Sequence, residues 1–173
     1  MTTEAPEAPA VSSGPEPGSF ESFLQQRRQE LREERRVTLP VTGFKGKLVG
    51  EYATPPWSAT RAIATRHPNI DKPGSQGDED SLNASVDLLI ASCQRLYGVA
   101  DNGAEIPLPV WGTELAKRFG INVEPNGMRM TERQAVRAIF EGSEMKLATH
   151  ASEVAAATTE DEEDVDDALM GES

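Results

Sequence analysis

Residues 82–97, LNASVDLLIASCQRLY, decide how this chain reads. Leu82, Val86, Leu89, Ile90, Cys93, Leu96 and Tyr97 recur at i, i+4, i+7, i+8, i+11, i+14 and i+15, one face of a 3.6-residue period. That spacing predicts the core helix of the protein, capped by Asp80 or Ser81. Cys93 lies inside the stripe and reads as a small buried hydrophobe rather than a nucleophile. Just upstream, residues 68–80, PNIDKPGSQGDED, form a loop of Pro, Gly and Asp. Its acids lack the alternating ligands, central glycine and twelfth-position glutamate of a calcium loop, so no metal is expected there.

Outward toward the N-terminus, VTLPV and LVGEYA flank the turn TGFKGK and predict a β-hairpin near residues 37–53. Pro40 removes a ladder donor and places its strand at a sheet edge. Pro55 and Pro56 close the second strand; Pro56 or Trp57 opens a short helix, WSATRAIATRH, that Pro68 ends. Ahead of the hairpin, a helix is expected over residues 19–36, with a thin apolar stripe of Phe20, Phe23, Leu24 and Leu31. Its second half carries five arginines against three glutamates; because acids interleave the bases, it reads as a solvated face rather than a nucleic-acid patch.

Outward toward the C-terminus, Asp101, Asn102 and Gly103 read as a turn and EIPLPVW as an extended piece. Gly112 or Thr113 starts a helix that Gly120 terminates, and NVEPNG is another turn. Thr131 and Gln134 form a capping box for TERQAVRAIF, with Ala135, Val136, Ile139 and Phe140 facing inward. Gly142 breaks that helix, and Ser143 begins a last one whose weak stripe of Met145, Leu147, Ala148, Ala151 and Val154 predicts loose anchoring.

The ends differ in kind from this body. The 173 residues hold 37% hydrophobic, 5% aromatic and 27% charged side chains, with a net charge of -12. Eight acids and no base occupy residues 160–173, and three more acids lie in residues 1–19, which leaves the centre close to neutral. The domain reading is therefore a disordered lead at 1–19, a helical domain at 20–158 and an acidic disordered tail at 159–173. The fold class expected is mainly α with a small β-hairpin, an α+β domain between disordered ends. The charge argues against a free nucleic-acid binder, and no nucleic-acid partner is expected. No window approaches a membrane span and no signal sequence stands at the start, so no membrane is expected and a soluble protein of a reducing cytoplasm is. One cysteine and two separated histidines, His67 and His150, leave little material for a disulfide framework, a metal centre or a catalytic relay. GxGxxG, Walker-type, HExxH, GxSxG and paired CxxC motifs do not occur, so no catalytic residue, cofactor or metal ligand is assigned and no enzyme is expected. Trp57 and Trp111 each follow prolines and open a helix; each reads as a packing staple, with partner binding as the alternative.

The order of the pieces carries a resemblance. VTLPVTGFKGKLVGEYATPPWSATRAI, then LIASCQRLYG, then the WG that opens a helix, then TERQAVRAIFEGSE and an acidic close resemble the tail assembly chaperones of long-tailed actinobacteriophages, over roughly residues 20–158. The resemblance implies a non-enzymatic phage assembly factor that coats and solubilises the tape measure protein and promotes tail tube polymerisation around it. It implies action in the host cytoplasm, absence from the mature virion, and no cofactor. It also implies a longer product of programmed ribosomal frameshifting whose added domain meets the tail tube protein; a homo-oligomer is among the assemblies expected. Met170, Gly171 and Glu172 require ATG-GGN-GAR in the message, a purine run when N is a purine, which suits a frameshift. The rival readings are a small structural virion protein of the tail or connector, and an acidic mimic binding through Asp161, Asp164, Asp166 and Asp167.

Overall fold

The computed structural model describes residues 36–159 and, ahead of them, residues 19, 20, 22–24, 26, 27 and 30. The expectations for the lead at 1–18 and the acidic stretch at 160–173, with its frameshift region, lie outside the described residues. The chain divides into two units, Met1–Glu34 and Arg35–Ser173. In the first, the described residues from Phe20 to Glu30 are helical, and Ser19 Oγ accepts from Ser22 N at 3.1 Å, a side-chain cap. Arg36 stands outside any helix, directly before the first strand.

The second unit is α+β. Four strands, β1 (Val37–Pro40), β2 (Leu48–Tyr52), β3 (Cys93–Val99) and β4 (Glu105–Leu108), make one antiparallel sheet in sequence order. The expected hairpin is β1 and β2, paired from Val37↔Tyr52 to Pro40↔Val49. Pro40 lies on an edge strand as its missing N–H requires, and Pro107 does the same on the opposite edge. Among the described residues five α-helices accompany the sheet: α1 (Trp57–Arg66), α2 (Ser75–Ser92), α3 (Thr113–Arg118), α4 (Glu132–Ile139) and α5 (Glu144–Thr159).

The largest correction falls on the opening stretch. The helix expected to reach Tyr97 stops at Ser92, and Cys93–Val99 runs as the strand that joins β2 to β4. Leu96 faces the core in either conformation, so the helical spacing and the strand agree on it by coincidence. Pairing decides between them: Leu96 lies opposite Gly50, and Tyr97 opposite Val49 and Pro107. The helix also begins earlier than Asp80 or Ser81, at Ser75 after Gly74. Asp80 instead accepts from the Asn69 backbone N–H and side-chain amide, each at 3.0 Å, and so closes the preceding loop. The EIPLPVW piece contributes β4, which makes a sheet of four strands where a hairpin alone was expected.

Local signals hold elsewhere. α3 ends with Gly120 at φ +75°, and the Gly120 and Ile121 N–H groups return to the Lys117 and Ala116 carbonyls, a Schellman close. The Thr131–Gln134 capping box is formed in both directions at the start of α4. The last helix is not loosely anchored: α5 buries Leu147, His150, Ala151, Val154 and Thr158 along one side and packs beside α2, while Met145 of the predicted stripe is 82% exposed. One core joins the sheet to the helices through Tyr52, Leu89, Leu96, Leu115, Val136 and Leu147, all essentially inaccessible. Burying one such leucine contributes about 1.5 to 3 kcal/mol.

Candidate partner-binding groove

α2 and α5 lie side by side, and α1 stands along them without burying a single residue of its own. Between the three runs a groove of about 680 Å³. Its floor is Ala84, Leu88, Ala148, Ala151 and Ala155; Trp57, Ile63 and Ile70 form one wall. The prolines at 55 and 56 start α1 at Trp57, which leaves the indole 76% exposed at the lip. Thr54 Oγ1 donates to Thr158 O at 2.9 Å and ties that lip to the end of α5.

The groove's chemistry is apolar. Among the described residues that line it there is no ionisable side chain. Several of its hydroxyls already donate to main-chain carbonyls: Ser85 to Ser81 O, Ser81 to Ile70 O, Thr158 to Val154 O and Thr159 to Ala155 O. What remains is a shallow channel of methyl groups and one indole, suited to a hydrophobic helix face and without the convergent polar groups that orient a small polar ligand.

Behind α5 a buried aromatic cluster positions it. His150, inaccessible to solvent, faces Tyr52 with Nε2 2.8 Å from the hydroxyl, and Trp111 Nε1 donates to that hydroxyl at 3.2 Å. The indole N–H donates to the tyrosine oxygen, which also pairs with His150 Nε2, the donor in that second bond being set by the imidazole tautomer. Nδ1 has no hydrogen-bond partner; Glu153 Oε2 is 3.6 Å away and accepts from Thr42 Oγ1 at 2.8 Å. Burial pushes the His150 imidazole below the ordinary histidine value, against the opposing pull of Glu153, and raises the Tyr52 hydroxyl above the phenol range. Trp111 stacks on Phe140 with centroids 5.5 Å apart and is 3% exposed. The two tryptophans therefore part company: Trp111 is a packing residue of the core, and only Trp57 is free to meet a partner.

A second network, centred on the buried Asp87, joins α1, α2 and α4. Asp87 receives Arg133 through Nε at 2.6 Å and Nη2 at 2.7 Å, Arg66 Nη1 at 2.6 Å and His67 Nε2 at 2.9 Å. Burial alone raises the Asp87 carboxyl, but the hydrogen bonds from Arg133, His67 and Arg66 outweigh it and hold the group at about 2. The charges are consumed in holding α1 to the body.

Cys93 sits half-buried at the start of β3 opposite Tyr52, and burial pushes its thiol up to about 12, far from a reactive thiolate. Among the described residues no set of three His, Cys, Asp or Glu side chains is arranged to hold a metal, and no helix is long and apolar enough to cross a membrane. Sequence reasoning misses the groove because the α5 stripe carries no sign that Ala148 and Ala151 line an open channel; that needs α1 and α2 in place. It missed Asp87 because an acid inside an apolar run gives no sign of its partners. Comparison with protein-family models, with curated proteins and with solved structures returns no match.

Proposed function

We propose that this chain is the short form of a tail assembly chaperone of long-tailed actinobacteriophages, a non-enzymatic factor that binds the tape measure protein, keeps it soluble and promotes assembly of the tail tube. The observation that carries this reading is the open apolar groove between α1, α2 and α5, with Trp57 exposed at its lip. An apolar helix face left in water drives aggregation, and a groove lined by small side chains covers such a face without demanding one sequence. The order of sequence motifs supports the same family, and the excess of acids at both ends gives a bound complex a net charge that opposes self-association. In this reading the protein acts in the host cytoplasm, meets the tail tube protein through a longer frameshifted form, and leaves before the virion is complete.

Co-expression with a tape measure protein encoded beside it tests the proposal. A soluble complex that co-purifies is expected. A tape measure protein that is equally insoluble with and without this chain rejects it, and recovery of the chain in stoichiometric amount from purified particles favours a structural virion role instead.

A further inference from the structure

Of the five helices only α1 buries no residue, and within it Ala59 and Ile63 alone reach half-burial. Apolar burial stabilises by about 25 cal/mol per Å², so a helix placed like this owes little of its attachment to the hydrophobic effect. Its hold is polar and lies at one end, where Arg66 Nη1 and His67 Nε2 stand 2.6 and 2.9 Å from Asp87 Oδ2. That carboxylate has a second holder. Arg133 of α4 grips it through Nε at 2.6 Å and Nη2 at 2.7 Å, a bidentate pair in which α1 takes no part. Release of Arg66 and His67 therefore leaves Asp87 paired with a cation, and the penalty for stranding a buried charge is not incurred.

The chain on either side of α1 is pinned by other bonds. Ahead of it Thr54 Oγ1 donates to Thr158 O at 2.9 Å. Behind it the Asn69 backbone and side-chain amides donate to Asp80 at 3.0 Å, and Ser81 Oγ donates to Ile70 O at 3.1 Å. We infer that α1 is a gate over the groove: residues 55–68 leave α2 as one unit while the sheet, α2, α4 and α5 stay folded, with Asp87 as the latch and Arg133 as its standing partner. Opening removes the wall formed by Trp57 and Ile63 and widens access to Ala84, Leu88, Ala151 and Ala155. A ten-residue helix is marginal by itself in water, so α1 loses its own hydrogen bonds once it leaves. The gate goes beyond the chaperone reading and opens whatever the groove's occupant.

Hydrogen exchange of the full chain, followed at low and rising urea, tests the gate. In the wild type the amides of residues 59–67 are expected to exchange through an opening with little urea dependence, because little surface is exposed, whereas those of α2 and β3 follow global unfolding. Arg66→Ala takes one cation of α1 from the latch and leaves Arg133 in place; α1 exchange should rise about fivefold, the upper end for a half-exposed ion pair, with α2, α4 and β3 unchanged. Arg133→Ala has the opposite sign. Opening then leaves Asp87 without a cation, and Arg66 no longer shares the carboxylate with a like charge, so α1 exchange should slow toward that of the whole domain even as the domain melts at a lower temperature. If the alanine variant does not fold, Arg133→Lys, which keeps a cation but loses the bidentate grip, should give the same sign in smaller measure. Nile red, an uncharged apolar dye, should brighten more with Arg66→Ala than with the wild type, and less with Arg133→Ala. Wild-type α1 amides that exchange only together with α2 and β3 overturn the gate. So do two arginine substitutions that speed α1 alike, and faster α1 exchange in Arg66→Ala without added dye binding, since the helix then frays in place.

Discussion

Gly50 and Tyr52 show how one missing side chain builds a cluster. Both face the core from β2, and the tyrosine ring folds back over Gly50, so a Cβ there falls 2.5 Å from the ring. Gly50→Ala must displace Tyr52 from His150 and Trp111, and a loss of about 2 kcal/mol is expected in urea denaturation, typical of overpacking. The same cluster sets an acid limb of stability. The folded His150 pKa lies below its unfolded value of about 6.5, so between the two the unfolded chain binds more protons, and stability falls as pH drops below about 6.5 until the folded pKa is passed. Asp87 acts lower: its carboxyl, held at about 2, contributes stability above its ordinary value of 3.8 that is lost as pH falls from there toward 2. Denaturation midpoints measured from pH 8 to 2 should show two falling steps, and His150→Gln should remove the upper one alone. Asp87→Asn leaves Arg133 and Arg66 facing a neutral amide; because both arginines reach solvent, a destabilisation of about 1 kcal/mol is expected, whereas an unchanged midpoint would show the network to be idle.

At the scale of elements, the helices are unequal. α2 supplies Leu82, Val86 and Leu89 to the core, and Leu89→Asp places a carboxylate at a position with no solvent access. That costs several kcal/mol without a partner, against a total stability of about 5 to 15 kcal/mol. Loss of the cooperative thermal transition is expected, and a melt near the wild-type midpoint would remove α2 from the centre of the fold. α1 is the opposite case. It buries none of its residues and is held by Arg66 and by its neighbour His67, both bonded to Asp87. Its amides are expected to exchange with deuterium well before those of α2 and β3, and Asp87→Asn should speed α1 exchange further while α5 is unchanged.

For the whole molecule, charge and fold are divided along the chain. The described body is close to neutral and carries the sheet, the core and the groove, while residues 160–173 carry most of the net charge. In the proposed function that division lets the body hold a client and the acidic end keep the complex dispersed. The proposal carries one further expectation, a longer product that shares this N-terminus and diverges at residues 168–173. Mass spectrometry of an infected-cell lysate checks it. Detection of the 173-residue form alone, with no overlapping reading frame at this end, removes the frameshift and weakens the family assignment with it.

The sequence by itself determined the features whose causes lie within a few residues. The Thr131–Gln134 capping box, the Gly120 helix stop, the proline-bounded α1 and the β1–β2 hairpin with Pro40 at an edge all follow from side chains that act on their own backbone. The α+β class was legible for the same reason. Only the tertiary structure decided the rest. Cys93–Val99 is a strand because β2 and β4 offer it hydrogen-bond partners on both sides, and the helical spacing of Leu96 cannot reveal that Gly50 and Leu108 lie opposite it. Asp87 is tolerable inside because Arg66 and Arg133 arrive from 21 and 46 residues away. His150 is a core residue because Tyr52, 98 residues distant, gives it a hydrogen-bond partner. Trp57 and Trp111 follow similar prolines yet one lies in water and the other in the core. The groove exists only where three helices meet, since local sequence sets what each residue does to its own turn, and long-range packing alone sets which faces find one another.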